Sequence, residues 1–96
     1  MPFEVIWRPI ALQDLNKLHR YIANDDPAAA NRVRTTIAAA VARLANYPNL
    51  GRAGRVAETR ELVISRTPYI VAYTVLGDQV MILSVLHSSR QWPEHF

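Results

Sequence analysis

The stretch from residue 59 to residue 87 constrains the fold more than any other part of the chain. It contains three runs rich in β-branched and aromatic residues, which favour strands, at positions 60–65, 69–76 and 79–87. Thr67-Pro68 separates the first two runs, because proline has no amide hydrogen to donate within a sheet. Gly77-Asp78 separates the last two, and glycine can take the first central position of a type II′ hairpin turn. The stretch therefore predicts three consecutive antiparallel strands.

Both faces of the middle strand in this stretch are apolar. One face carries Tyr69, Val71, Tyr73 and Val75, and the other carries Ile70 and Ala72. A face in contact with solvent would present polar residues at alternate positions. We therefore expect another layer of the protein to cover one face of the sheet, and the other face to be occupied as well.

The residues before this stretch can supply the covering layer. Residues 3–7 alternate loosely and predict a short first strand. Spacings of three and four residues then predict a helix over 10–24. Its apolar stripe comprises Leu12, Leu15, Leu18, Tyr21 and Ile22. A second helix is predicted from Pro27 to about Tyr47, with Asp25 or Asp26 as its cap and proline at its first position.

The second helix is rich in alanine, which lets two helices approach each other closely. Its predicted buried face comprises Val33, Ile37, Ala40, Val41 and Leu44, and its predicted exposed arginines are Arg32, Arg34 and Arg43. We expect the two helices to form an antiparallel hairpin on the sheet. The predicted fold is therefore a two-layer α+β domain of order β-α-α-β-β-β, whose helical hairpin packs on a mainly antiparallel sheet.

The whole chain, residues 1–96, is predicted to be a single domain. Residues 48–55 form a loop that is dense in glycine, proline and arginine, and residues 88–96 form an irregular tail. There is no cysteine, which fits a reducing cytoplasm, and neither a membrane span nor a secretion signal is predicted. We expect no cofactor, and no metal because His19, His87 and His95 show no ligand spacing.

The net charge of +3 and the pI of about 9.8 permit an acidic partner without specifying its class. Ten of the eleven basic residues are arginine, the type that suits bidentate and planar contacts.

A series of short motifs runs through nearly the whole chain. They are Trp7, Ala11-x-x-Asp14-Leu15, Tyr21-Ile22, Pro27-x-Ala29-Ala30, Leu44-x-x-x-Pro48-x-x-Gly51-Arg52, Thr59-Arg60-Glu61-Leu62, Pro68-Tyr69-x-x-x-Tyr73 and Ile82-Leu83-x-Val85-Leu86-His87-x-x-Arg90-x-Trp92. In this order the motifs resemble the RelE/ParE superfamily, the toxins of bacterial type II toxin–antitoxin modules. The resemblance implies a RelE-like fold, growth arrest, a role in plasmid stabilisation, and an antitoxin that neutralises the protein in a hetero-oligomer.

The family divides into two branches, one that cleaves messenger RNA on the ribosome and one that poisons DNA gyrase. The RelE branch places lysines after the arginine loop and an arginine after the tyrosine of the next strand. The corresponding positions here are Glu61, Val63 and Ile70, which cannot stabilise phosphate charge. The resemblance therefore favours the ParE branch and inhibition of gyrase without enzymatic activity.

Two alternatives remain open at this point. The chain could be a metal-independent RNA endonuclease in which His87, Arg90 and Arg60 carry out the reaction, since that chemistry needs an acid, a base and cations. It could also be a degenerate module that only binds its antitoxin.

Arg60, Arg66, Arg90 and Trp92 are the predicted target-binding residues. With Arg52 and Arg55 the arginines could form one basic surface. Alternatively, they are scattered and solvated, and partly paired with Glu58, Glu61 and Glu94.

Several other polar residues have plainer interpretations. His87 could be a general acid or base, or a strand-end histidine bonded to the backbone. Tyr69 and Tyr73 are predicted core residues, and Asp14 and Glu4 are predicted surface charges.

Overall fold

The computed structural model describes residues 2–96, and it confirms the predicted α+β fold. The regular elements are β1 (Glu4–Trp7), α1 (Pro9–Ala23), α2 (Pro27–Ala42), a 3-10 turn (Arg43–Ala45), β2 (Arg52–Ala53), β3 (Arg60–Val63), β4 (Tyr69–Leu76) and β5 (Gln79–His87). The strands form one sheet in the order β1-β5-β4-β3-β2. β1 runs parallel to β5, and the other neighbouring strands are antiparallel.

The two helices form the predicted hairpin. α1 starts with Pro9 at its first position, and the Asp26 carboxylate caps α2 by accepting from the Ala29 N–H at 3.1 Å. Polar side chains also join the helices. His19 Nε2 lies 2.8 Å from Asn31 Oδ1, and Arg34 Nη2 donates to Asn16 Oδ1 at 3.0 Å. Arg34 is therefore half-buried, and the expectation that it is exposed is wrong.

The buried stripe of α1 is rotated from the predicted one. Ala11 and Leu18 are buried, and Leu15 and Ile22 pack against the core from its margin. Leu12 and Tyr21, both predicted to be inside, are exposed. The small side chain of Ala11 lets the helix approach the sheet closely, and this rotation turns Tyr21 outward.

The second helix is shorter than predicted, because it ends at Ala42 and tightens into the 3-10 turn. Pro48 disfavours a helical conformation at the residue before it, so the chain cannot continue as an α-helix to Tyr47. The predicted inner face is otherwise correct, since Ile37, Val41 and Leu44 are buried.

The core lies between the helical hairpin and one face of the sheet. Its largest fully buried side chains include Tyr73, Ile37, Leu44, Ile64, Ile82, Val41, Val71 and Val80. Tyr69 and Tyr73 are both buried in this core, as predicted. Neither helix within residues 2–96 is long and apolar enough to span a bilayer.

The strands of the β4–β5 hairpin have the predicted bounds. Gly77 has a φ of +60°, which the first central position of a type II′ turn requires. Leu83 is an extra residue in β5, because Ala72 pairs with Ser84 while Tyr73 pairs with Ile82. This bulge bends the strand just beyond the point where β1 ends.

Two details of the sheet differ from the prediction. β3 ends at Val63 instead of residue 65, because Arg66 takes a φ of +66° and turns the chain. The loop over residues 48–55 also contains β2, which pairs Arg52 with Glu61 and Ala53 with Arg60. Two residues between glycines give no periodic signal, so sequence patterns could not reveal this strand.

The strand β1 covers only the first half of β5. Its last pair joins Trp7 to Ile82, so β5 has no neighbouring strand on that side from residue 83 to residue 87 among residues 2–96. Asp14 of α1 lies at this edge. Its Oδ2 accepts from the Ser84 hydroxyl at 2.6 Å and from the Val85 N–H at 3.0 Å. Asp14 is thus a half-buried structural residue, and its interpretation as a surface charge is wrong.

Substituting Asp14 by alanine removes the acceptor for both β5 groups. We expect Asp14→Ala to lower the free energy of unfolding by about 1–3 kcal/mol, the usual cost of leaving such donors unsatisfied. Urea denaturation measures this, and amide exchange at Val85 should accelerate. The neighbouring exposed residue provides the control, since Gln13→Ala should change stability by no more than about 0.5 kcal/mol. Equal stabilities for the two variants would contradict the role of Asp14.

Candidate functional site

A groove of about 560 Å³ opens between α1 and the free end of β5. Its lining combines aromatic, cationic and apolar side chains with one carboxylate: Asp14, Lys17, Leu18, Tyr21, Pro68, Tyr69, Val85, Leu86, His87, Arg90 and Gln91. On α1, residues 14, 17 and 21 lie three and four positions apart and therefore share one flank of the helix. The end of β5 and the turn that follows it form the opposite wall. We call this feature the α1–β5 groove.

His87 ends β5 and is half-buried in the wall of the groove. Its Nδ1 accepts from the Ser89 N–H at 3.2 Å and lies 2.8 Å from the Ser89 hydroxyl. Because Nδ1 is the acceptor, the neutral ring carries its proton on Nε2. The ring meets Tyr69 edge to face, with 5.5 Å between centroids and 87° between planes. His87 thus has the backbone contact of a strand-end histidine and still faces the groove.

Tyr69 supplies a phenol to the same wall. Burial is the main influence on its pKa and raises it above the ordinary 10.0; Arg90 opposes this shift, and Tyr21 adds to it. The phenol therefore remains protonated at neutral pH. Its hydroxyl has no hydrogen-bond partner within residues 2–96, so it is available as a donor to a ligand.

The groove also holds two cations without carboxylate partners. Lys17 and Arg90 are exposed, and within residues 2–96 neither lies within 4.0 Å of a carboxylate oxygen. Lys17 is the only lysine of the chain. Both charges are therefore free to attract an acidic group from outside.

A second polar cluster surrounds Glu61, whose side chain is 2% exposed. Arg52 donates to Oε1 from Nε at 3.1 Å and from Nη2 at 3.0 Å. The Arg55 backbone N–H donates to Oε2 at 2.7 Å, and its Nε lies 3.7 Å from the same oxygen. Within residues 2–96, Glu61 is the only acidic residue paired with these arginines, and Glu58 and Glu94 form no ion pair. The buried carboxylate thus binds the arginine loop, residues 48–55, to the sheet.

Arg60 and Tyr73 hold the first half of the arginine loop. Arg60 Nη1 donates to Gly51 O at 2.7 Å and, more weakly, lies 3.4 Å from Asn49 O. The Tyr73 hydroxyl donates to Pro48 O at 2.8 Å and accepts from the Gly51 N–H at 2.8 Å. Gly51 approaches so closely that a Cβ there would lie 2.7 Å from the Tyr73 ring. Arg60 is thus already engaged with backbone carbonyls.

Trp92 brings the tail back to the same loop. The Arg55 guanidinium carbon lies 3.8 Å from the centroid of its ring, a cation–π contact. The indole N–H is buried and has no acceptor within residues 2–96. Arg55 therefore connects the tail to Glu61 and the sheet.

The predicted site residues fall into separate groups. His87 and Arg90 line the α1–β5 groove, and Trp92 lies on Arg55. Arg60 on β3 is opposite Tyr73 of β4, and His87 on β5 is opposite Tyr69 of β4. Tyr69 and Tyr73 are four residues apart along β4. At about 3.3 Å per residue, these two positions are about 13 Å apart along the strand direction. Arg66 lies in the exposed turn between β3 and β4, at the same end of the sheet as His87.

The sequence interpretation missed three residues of the groove. Lys17 and Tyr21 share a helix flank with Asp14, and that spacing was present in the sequence. The apolar pattern assigned Tyr21 to the core, however, and Asp14 to the surface. Within residues 2–96, no three histidine or acidic side chains gather in a way that could hold a metal ion.

Comparison with known proteins identifies the family. The family model described as the ParE toxin of type II toxin–antitoxin systems, parDE, matches residues 5–92. This range contains both walls of the α1–β5 groove and the whole arginine loop. The chain therefore belongs to the ParE family of type II toxin–antitoxin toxins.

Individual relatives agree with this assignment. A Sinorhizobium fredii protein described as a candidate toxin, Y4kP, is 48% identical over 88 residues, covering 92% of this chain and 91% of the relative. Toxin RelE2 of Caulobacter vibrioides is 37% identical over 87 residues, covering 91% and 97%. A structure of the chromosomal ParDE TA system from P. aeruginosa superposes with a TM-score of 0.81 at 25% identity, covering 88% and 95%. Relatives thus bear names from both branches of the superfamily.

Replacing Tyr73 by phenylalanine tests how the arginine loop is held. Tyr73→Phe leaves Pro48 O and Gly51 N–H without their partner, so we expect a loss of about 1–3 kcal/mol in urea denaturation. Tyr69→Phe is the control, because it removes a hydroxyl with no partner within residues 2–96.

The same variant should change the response to alkaline pH. Burial raises the pKa of Tyr73 above 10.0, against smaller opposing effects of the Gly51 bond and Arg60. The stability that the protonated Tyr73 phenol contributes is therefore fully present below the pKa that Tyr73 has in the unfolded chain. It is lost as pH rises through the higher pKa that Tyr73 has in the folded protein. In Tyr73→Phe the free energy of unfolding should therefore fall less steeply as pH rises above 10. An unchanged dependence on alkaline pH would contradict the role of the buried phenol.

Proposed function

We propose that this toxin arrests growth by binding DNA gyrase, and that a cognate antitoxin neutralises it. The observation that carries the proposal is the environment of Glu61. At the three positions where RNA cleavage would call for cations, the chain has a buried carboxylate held by two arginines, the exposed Val63 and the buried Ile70. A carboxylate and two apolar side chains cannot stabilise the negative charge of a phosphorane.

The distribution of the candidate catalytic residues also supports a binding protein. A metal-free ribonuclease needs its acid, base and cation around one phosphate. Arg60 is bonded to Gly51 O and lies about 13 Å along the strand direction from His87, by strand spacing. The arginines of the loop are likewise engaged by Glu61.

A second function is favoured by the α1–β5 groove. Within residues 2–96, His87 Nε2 has no hydrogen-bond partner and lies beside the protonated Tyr69 phenol, and Arg90 lines the same groove without a carboxylate partner. Those groups could act on an RNA phosphate as acid, base and cation. The second candidate is therefore a ribosome-dependent messenger RNA endonuclease that uses His87 and Arg90 without Arg60.

The antitoxin is the proposed partner in either case. The P. aeruginosa structure that superposes on this chain is described as a ParDE TA system. Apolar side chains such as Tyr21, Val63 and Leu76 are exposed here and offer surface that a partner chain can bury. Co-expression with the antitoxin should therefore give a stable complex of greater solubility in the cytoplasm.

The target can be decided by two assays on the same protein. Under the gyrase proposal, purified toxin inhibits gyrase supercoiling, and cells filament with DNA damage while messenger RNA stays intact by primer extension. His87→Ala should retain growth arrest, because no acid or base is required. Codon-positioned cleavage that disappears in His87→Ala and Arg90→Ala, with gyrase unaffected, would replace this proposal with the endonuclease.

The proposed target surface comprises Arg60, Arg66, Arg90 and Trp92. Arg66 and Arg90 are exposed without ion-pair partners within residues 2–96, so Arg66→Ala and Arg90→Ala should reduce toxicity with stability changes within about 0.5 kcal/mol. Arg32→Ala on the exposed side of α2 is the matched control and should remain toxic. Growth assays paired with melting curves give both quantities.

Arg60 requires a separate comparison, because it also supports the loop. Arg60→Ala should lose about 1 kcal/mol with the bond to Gly51 O, and toxicity should fall as well. Arg60→Lys can keep one donor but lacks the planar fork, so it should restore stability more than toxicity. Full toxicity in Arg60→Ala would exclude Arg60 from the target surface.

A further inference from the structure

The free edge of β5 lies inside the α1–β5 groove. β1 pairs with β5 only as far as Ile82, where Arg8 N–H donates to Ile82 O at 3.0 Å. Beyond that point β5 continues for five residues to His87. Unpaired strand edges present backbone donors and acceptors to any extended chain that approaches.

Two hydrogen bonds show which way the backbone groups of this edge point. Ser88 N–H donates to Pro68 O at 2.7 Å, toward β4, whereas Val85 N–H turns the other way, to Asp14. Amides alternate sides along a strand, so Val85 C=O and His87 N–H both face the groove. Among residues 2–96 neither has a hydrogen-bond partner, since β1 ends before them and α1 offers only Asp14 to Val85 N–H.

These two groups match one residue of an added strand. In a parallel ladder, a single residue donates to the carbonyl of one residue and accepts from the amide two positions later. β1 already binds β5 in this parallel manner. An added segment would thus extend the line of β1 after its interruption at Pro9.

The side chains around the edge define what such a segment carries. Lys17 and Arg90 flank the groove without carboxylate partners within residues 2–96, and Tyr21 is 67% exposed beside them. Acidic side chains at alternate positions of an extended segment would meet both cations. Tyr21 offers an apolar surface to a neighbouring side chain.

The carboxylate of Asp14 favours a polypeptide over a phosphate-bearing ligand. Its Oδ2 is bonded to Ser84 and Val85, while Oδ1 has no hydrogen-bond partner within residues 2–96. A phosphate at the strand edge would meet this negative charge, whereas a peptide backbone there could donate an N–H to it while its acidic side chains lie against Lys17 and Arg90.

We propose that an extended, acidic segment of the antitoxin adds to β5 as a short parallel strand in the α1–β5 groove, bonded to Val85 C=O and His87 N–H. This inference rests on the proposed antitoxin partner and specifies where and how one segment of it binds. Main-chain bonds supply the fixed geometry, and Lys17 and Arg90 select for acidic side chains.

The purified complex with the antitoxin gives the direct test. Amide hydrogen exchange at His87 should slow by about tenfold or more relative to the free toxin, because its N–H acquires an acceptor. Lys17→Glu should weaken the complex by on the order of tenfold, with stronger salt dependence in the wild type than in the variant. Arg32→Glu is the matched charge reversal on the exposed side of α2, and its effect should be smaller.

The single lysine allows the segment itself to be located. Reductive methylation with ¹³C-formaldehyde labels Lys17 and the terminal amine, so one side-chain signal reports on the groove. Overlapping twelve-residue peptides that span the antitoxin serve as probes. We expect an acidic peptide to shift the Lys17 signal and protect the His87 amide, and methylation of its bonding amide nitrogen to abolish both effects.

Other outcomes overturn the inference and are distinguishable from failure of the proposed function. If the complex forms but His87 exchange is unchanged, the antitoxin binds elsewhere or covers the groove as a helix, and strand addition is wrong. If a single-stranded RNA oligonucleotide, and no antitoxin peptide, shifts the Lys17 signal, the groove belongs to the endonuclease alternative. If no complex forms with the antitoxin, the proposed partner fails and this inference with it.

Discussion

The parallel pairing between β1 and β5 is the constraint on which the rest of the architecture depends. The α1–α2 hairpin covers one face of the sheet and leads from β1 to β2 at the opposite edge, and the following antiparallel strands bring β5 back beside β1. β1 has four residues and β5 has nine, so among residues 2–96 the second half of β5 has no strand on the β1 side. Asp14 binds one donor of that edge, and the remaining space is the α1–β5 groove.

The second constraint is the burial of one carboxylate. Glu61 is tolerated inside because three N–H groups of Arg52 and Arg55 donate to its oxygens. Glu61 thus bonds the arginine loop to the sheet from one side, and the Tyr73 hydroxyl bonds it from the other. Some arginines that the sequence suggests are free on the surface are therefore already paired with Glu61 inside the protein.

These two constraints give the surface two regions that offer different groups for binding. The arginine loop offers guanidinium groups whose positions are set by Glu61, Gly51 and Trp92. In the described part of the chain, residues 2–96, the α1–β5 groove offers cations without carboxylate partners, a protonated phenol and a strand edge without a neighbouring strand. The candidate site residues are spread over both regions, because Arg60 supports the arginine loop whereas His87 and Arg90 line the groove. A single-site ribonuclease would need their charges in one place.

Elements with local signals could be predicted from the amino-acid sequence. The bounds of β4 and β5, the turn at Gly77 and a cap at Asp25 or Asp26 follow from neighbouring residues, since strand alternation and capping depend on short-range geometry. The family motifs likewise pointed to the correct class of toxin.

Contacts between segments that are distant along the chain became visible only in the folded protein. β2 exists because Arg52 pairs with Glu61, and Asp14 is structural because its Oδ2 lies 3.0 Å from the Val85 amide nitrogen of β5. Tyr21 is exposed because α1 is rotated, and this rotation depends on how closely Ala11 approaches the sheet. No periodic pattern in the sequence reveals such contacts. They depend on the register between strands and on the position of α1 relative to β5, and both are set by residues far apart along the chain.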